Sequence, residues 1–328
     1  MPEPTANPLG YYTGHGPITD PSAYAAFFDD LPSAIPELCE VVQGLMVHRG
    51  FANFYGLQVT EERKQEAELR HVSSLLTRIL ELCDQLLTIA RPPEKRLMIV
   101  CRDFATMLCA MLRHRGIPAR ARCGFARYFG RCPESTPGFN VDHWVCEVWD
   151  AEEELWTLVD AELDENERDF CHIEIDPLDV PRDQFLVAGR AWQLCRSGQA
   201  DPDDFGLGPE SMRGLWYIQS QLVRDLAAMN KMELLCWDCW GLGHADPDEA
   251  PSTEDMVLLD RVAALTQADN EAFTELRALY ENTGALRVPP VIISYVDGQP
   301  HQVDLNLKAE AADRRWTKNN VNELRRKT

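Results

Sequence analysis

The chain has 328 residues, enough for one large or two smaller domains, and its 45% apolar content is ordinary for a globular protein. A formal net charge of −21 argues against a nucleic-acid partner and against docking on an anionic membrane surface. No apolar run approaches the roughly 20 residues of a membrane span, and the first residues have neither the basic nor the apolar region of an export signal, so a cytoplasmic location is expected. The eleven cysteines are then expected to be mostly reduced and to act as small buried hydrophobes. Cys109 and Cys146, lying among apolar neighbours, fit that role.

Residues 1–20 read as irregular. Residues 21–49 suggest two short helices broken near Pro32 and Pro36, with Ile35, Leu38, Val41, Val42, Leu45 and Met46 forming an apolar stripe. Gln43 lies on this segment, either as a solvated helical residue or as a side-chain donor to an oxyanion. Residues 59–89 begin with a charged, helix-favouring run and continue into a core helix through Leu75, Leu76, Ile79, Leu80, Leu82 and Cys83. His71, between the two parts, reads as a surface residue. Arg91-Pro92-Pro93 breaks the helix.

The next helix starts at or near Cys101. Phe104, Leu108, Met111 and Leu112 give it a buried stripe, and Gly116-Ile117-Pro118 ends it. Unpaired N–H groups and the macrodipole at a helix start favour a thiolate, so Cys101 is expected to have a lowered pKa. The run ARARCGFARYF reads as a strand. Its arginines, Arg120, Arg122 and Arg127, with Arg131 just beyond, either recognise an anionic substrate group or pair internally with the many Asp and Glu, and internal pairing is the more ordinary outcome. The Gly/Pro-rich loop 130–141 precedes His143 and is a candidate border of a cleft.

Two more strands follow. His143, Val145, Glu147 and Trp149 share one face of the first, and Trp144, Cys146 and Val148 the other. Leu155, Trp156, Leu158 and Val159 form the second. A two-residue turn would pair position 143 with 160, whereas a four-residue loop over 151–154 would set them diagonally. Either register puts His143 and Asp160 on one face. Asp142, Glu162 and Asp164 are alternative acids nearby.

Residues 171–198 read as a loop and then a helix packing through Phe185, Leu186, Ala191, Trp192 and Cys195. Cys171-His172 is a poor reactive pair, because neighbours on extended chain point opposite ways. Residues 199–208 resemble a linker, and 210–240 a helix with Trp216, Ile218, Leu222, Val223 and Leu226 inward. CWDCW (236–240) with His244 lacks the second cysteine pair of a structural zinc site, so neither metal nor cofactor is expected. Ser252 or Thr253 caps a helix over 253–265, a second helix covers 268–282, and a hairpin turns at Asp297-Gly298. The basic tail reads as a surface helix or a frayed end.

Cys-Arg-Asp-Phe-Ala at 101–105, Leu-Arg-x-x-Gly-Ile-Pro-Ala-Arg at 112–120, His-Trp-Val at 143–145 and Trp-x-x-Val-Asp at 156–160 together resemble the core of the transglutaminase-like superfamily. The resemblance spans roughly residues 95–165. It implies an α+β fold with a papain-like antiparallel sheet packed on the Cys-bearing helix, and a triad of Cys101 as nucleophile, His143 as general base and Asp160 as orienting acid. The domain division expected is a helical N-terminal part over 1–94, a catalytic core over 95–200 and a mainly helical extension over 201–328. The function implied is acyl transfer from an amide or thioester through a thioacyl intermediate, with water or an amine as acceptor. Gln43 is then a candidate oxyanion donor, and Trp144 and Phe125 are candidate walls of an acceptor channel. The substrate is a small molecule or peptide, with no nucleic-acid or membrane partner. The alternative is an inactive relative that binds or scaffolds.

Overall fold

A computed structural model describes residues 7–133, 135–208, 210–268 and 270–305. In chain order the elements are α1 (Pro8–Thr13), α2 (Ile35–Leu45), β1 (Met46–His48), α3 (Glu61–Lys64), α4 (Val72–Leu82), β2 (Leu97–Ile99), α5 (Cys101–His114), β3 (Ala119–Ala126), β4 (Asn140–Asp150), β5 (Leu155–Val159), α6 (Glu165–Phe170), β6 (Phe185–Val187), α7 (Ala188–Arg196), β7 (Phe205–Gly206), α8 (Leu215–Met229), β8 (Asp238–Cys239), α9 (Thr253–Leu265), α10 (Phe273–Asn282), β9 (Val291–Val296) and β10 (Gln299–Asp304). Short 3-10 turns lie between several of them. No helix among the described residues is long and apolar enough to cross a membrane.

The central sheet runs β5-β4-β3-β6, antiparallel throughout, and β7 adds a short parallel pairing to the start of β4. The 199–208 stretch, expected as a linker, is thus partly stitched to the sheet. Trp144, Cys146 and Val148 point into one core with α5, α2 and α4, while Val145 and Leu158 point into another with Tyr128, Phe129 and Phe185. This division is the one that period-two alternation dictates. A third core joins Phe125 of β3 to α7, α8 and α9. Gly124 lies opposite His143 on one side and Val187 on the other. A Cβ there would meet Leu186 O at 2.2 Å, so only glycine lets β6 approach this closely.

Helix α5 begins at Cys101. The Asp103 carboxylate accepts from Val100 N–H at 3.2 Å, closing the first turn. The helix ends as its sequence implies. Gly116 has φ +72°, Gly116 N–H donates to Arg113 O, and Ile117 N–H donates to Leu112 O.

Some segments depart from the sequence expectation. Residues 8–13, read as irregular, form α1, capped by Asn7; its Tyr12 is buried and donates to Met229 O at 2.9 Å. Pro36 sits in the first turn of α2 rather than breaking it, which suits a residue with no N–H to offer. The helix expected to continue toward residue 49 stops at Leu45, and Met46–His48 becomes β1, paired in parallel with β2 just before Cys101. His71 stands at the N-cap position of α4. The C-terminal hairpin turns at Asp297 and Gly298, both with positive φ, and gains β8 as a third strand. The basic tail, expected as a surface helix or a frayed end, lies outside the described residues.

Of the four strand-region arginines, Arg120 and Arg122 are internal. Glu147, fully buried, accepts from Arg120 at 2.6 Å, Arg122 at 2.8 Å and Arg182 at 2.8 Å; Arg122 also bonds both oxygens of Asp225 on α8. This network ties α8 to the strands that carry His143.

Candidate functional site

The β4–β5 hairpin uses the four-residue loop. Asp150 pairs with Leu155 and Cys146 with Val159, and Glu154 takes a positive φ. His143 and Asp160 are therefore diagonal rather than opposed, and they meet: His143 Nε2 lies 2.8 Å from Asp160 Oδ2. The same oxygen accepts from Tyr128 OH at 2.7 Å, and Asp160 Oδ1 accepts from Glu162 N–H at 3.1 Å. The carboxylate thus holds the imidazole with Nε2 protonated, which leaves Nδ1 as the nitrogen free to take a proton. All three side chains are buried. Two of the other acids near this segment, Asp142 and Asp164, are engaged elsewhere. Asp142 accepts from Tyr217 OH at 2.7 Å, and Asp164 caps α6 and accepts from Tyr55 OH.

Cys101 is buried at the start of α5. Among the described residues, no hydrogen bond joins its sulfur to His143. Its close neighbours are His48 and Glu162; one ligand atom from each of the three lies within 4.8 Å of the others. Cys236 is a further neighbour whose thiol acts on that of Cys101. The thiol is pushed well above its ordinary range by the neighbouring Cys236, by burial, and by Glu162 and Asp142. This reverses the expectation of a lowered pKa. The helix tip is present, but it is buried among acids, and desolvation penalises the thiolate.

Glu162 is likewise pushed well above the usual carboxylate range by burial and by Glu167, Asp160 and Asp164. His48 is pushed down to about 3 by burial and by His143, and its Nδ1 accepts from Gly50 N–H at 3.2 Å. It is brought beside Cys101 by the β1–β2 pairing, where His48 opposes Ile99. The segment carrying Cys236 is locked in place. Arg102 donates to Glu233 O at 2.8 Å, Arg113 pairs with the Glu233 carboxylate at 2.9 Å, and Arg70 grips both oxygens of Asp238, which also accepts from Leu235 N–H.

The remaining expected residues fall as follows. Gln43 donates to Leu163 O at 3.3 Å, just past the Asp160–Glu162 segment. Trp144 is buried in the α5 core with its Nε1 lacking a partner. Phe125 is fully buried against Phe205 and Tyr217. Phe125 and Trp144 sit in two separate cores. The rings that do surround His143 are Phe129 at 4.9 Å, Tyr128 and Phe185, and Phe129 continues outward through Phe51 and Phe170 to the exposed Phe54. In CWDCW, Cys239 contacts Arg224, and nearby His244 bonds Tyr295. Nine cysteines are free, as expected of most of them, while Cys132 and Cys171 form a disulfide that ties Cys132 to the chain just after α6.

Residues 99–161 match the family model of the transglutaminase-like superfamily core. The match opens two residues before Cys101 and closes one after Asp160, so it covers the helix and both strands that carry the expected triad. No curated protein and no solved structure matches the chain. His48 and Cys236 lie outside the matched residues.

Proposed function

We propose that the protein is a cysteine-dependent acyl-transfer enzyme of the papain-like type, acting on an amide or thioester. Cys101 attacks the carbonyl carbon. His143 takes the thiol proton at Nδ1 and returns it to the leaving amine or thiol, and Asp160 holds the ring and stabilises the imidazolium. Water or an amine then attacks the thioacyl intermediate, giving hydrolysis or a new amide. The observation that carries this proposal is the buried His143–Asp160 pair at 2.8 Å, within a segment that matches the superfamily. Because the resting thiol is neutral, the proton moves during attack rather than in a preformed ion pair, so a general base is required.

A second assignment makes His48 the base and Glu162 its partner, favoured by their closeness to Cys101. Two features weigh against it. An imidazole with so low a pKa is a poor proton acceptor near neutrality. Moreover, His48 Nδ1 lies 3.8 Å from Glu162, beyond hydrogen-bond length.

The test is intact-mass detection of an acyl adduct from a panel of aryl esters and thioesters. His143→Ala should slow adduct formation by about 10²-fold or more, with His48→Ala near wild type. The reverse order would install His48 as base. An unchanged rate in both would remove the acid–base assignment.

A further inference from the structure

We infer that His48, Cys101, Glu162 and Cys236 form a reversible Zn2+ site, in which the cation takes the Cys101 sulfur and holds it from reaction. Two thiolates, an imidazole and a carboxylate make a donor set that suits this borderline-soft cation. Tetrahedral bonds of about 2.0–2.3 Å put ligand atoms roughly 3.3–3.8 Å apart. The atoms of His48, Cys101 and Glu162 lie within 4.8 Å of one another, so a contraction of about 1 Å by side-chain rotation closes the shell. Among the described residues this is the one such trio. Cys236, a neighbour of the Cys101 thiol that lies outside this trio, is the fourth ligand and swings in as the shell contracts.

A second observation points the same way. Glu162 is 3% exposed, and its Oε2 is buried with no hydrogen-bond partner. A buried carboxylate oxygen left unpaired is costly. Its acidic neighbours Glu167, Asp160 and Asp164 repel its charge rather than compensate it. A divalent cation answers both deficits. Binding replaces the protons of the two thiols and of the carboxyl, which leave to solvent. At His48 the cation takes over the lone pair of Nδ1, the nitrogen facing Glu162, and displaces the 3.2 Å bond from Gly50 N–H.

The four ligands reach the site from separate elements: the end of β1, the start of α5, the turn after β5 and the Leu235–Asp238 turn. Arg70 and Arg102 fix that last turn before any cation arrives. Preorganisation of this kind reduces the ordering cost of binding. The inhibitory consequence rests on Cys101 being the nucleophile proposed above; the site itself does not.

The test uses the full chain, stripped with chelator under reducing conditions and then titrated with Zn2+ alone. One Zn2+ per chain is expected by metal analysis. Binding should weaken by at least the roughly 10–100-fold that loss of even an outer partner costs in His48→Ala, Glu162→Gln and Cys236→Ser, while Cys239→Ser keeps wild-type content. Two readouts on the wild-type protein avoid any folding artefact. Zn2+ should protect both Cys101 and Cys236 from iodoacetamide, and Co2+ should give a thiolate charge-transfer band. Absence of stoichiometric Zn2+, or equal binding in all four variants, would overturn the site. If Zn2+ binds but no acyl adduct forms on Cys101, the acyl-transfer proposal fails alone; if adducts form without Zn2+ binding, the cation site fails alone.

Discussion

Replacing Glu147 by Gln tests whether the charge network beneath the His143 strand stabilises the fold. The carboxylate is fully buried and accepts three charge-assisted bonds of 2.6, 2.8 and 2.8 Å from Arg120, Arg122 and Arg182. Arg122 keeps Asp225 in the variant, and Arg182 is largely exposed, so most of the loss falls on Arg120, which stacks over Trp156 at 4.2 Å and pairs with Glu147. Breaking a buried pair by neutralising one partner costs about 3–5 kcal/mol, and that is the loss expected in guanidinium unfolding near pH 7. The pH dependence has a definite sign. Burial raises the Glu147 pKa, but Arg120, Arg122 and Arg182 outweigh burial and hold it below its ordinary 4.5. A depressed carboxyl contributes stability that is complete above the unfolded value and lost as pH falls through the folded one. The gap between wild type and Glu147→Gln should therefore narrow as pH drops below 4.5. A loss under about 1 kcal/mol, the scale of an exposed pair, with a gap independent of pH, would refute the network's role.

Further outcomes follow from single contacts. Tyr128→Phe removes a 2.7 Å bond to the Asp160 oxygen that also holds His143. It should cost about 1.5–3 kcal/mol of stability by thermal or chemical unfolding and slow acyl-adduct formation; unchanged adduct rates would mean that Tyr128 does not position the pair. Gly124→Ala forces a Cβ onto Leu186 O and should destabilise by about 1–3 kcal/mol, with faster amide exchange at the β3–β6 edge. Cys132→Ser opens a disulfide spanning 39 residues and should cost about 4 kcal/mol, and reductant should lower the wild-type melting temperature to match.

Much of the site was legible from local rules. Period-two alternation put His143 and Asp160 on one face without the loop length being known, and Gly116 ended the Cys101 helix as its chemistry requires. The register was not decided locally, because acidic residues 151–154 suit either a two- or a four-residue connection. His48 and Cys236 were hidden for a different reason. Three residues of β1 make no strand alone; they are extended because β2, some fifty positions later, pairs with them. Cys236 reaches Cys101 through Arg102 and Glu233, a contact across 131 positions. A helix start, which favours the Cys101 thiolate, is a local feature, whereas the acids and burial that oppose it are tertiary. Phe125 and Trp144, candidate walls of an acceptor channel by sequence, are turned into cores by strand alternation.

The most direct test of the central claim is peptide mapping of the acyl-enzyme formed with an aryl thioester. The thioacyl group is expected on Cys101 in the wild type, to form more slowly in His143→Ala, and to be absent in Cys101→Ala with folding unchanged. A thioacyl group on another cysteine, or an undiminished adduct in Cys101→Ala, would contradict the assignment of Cys101 as nucleophile.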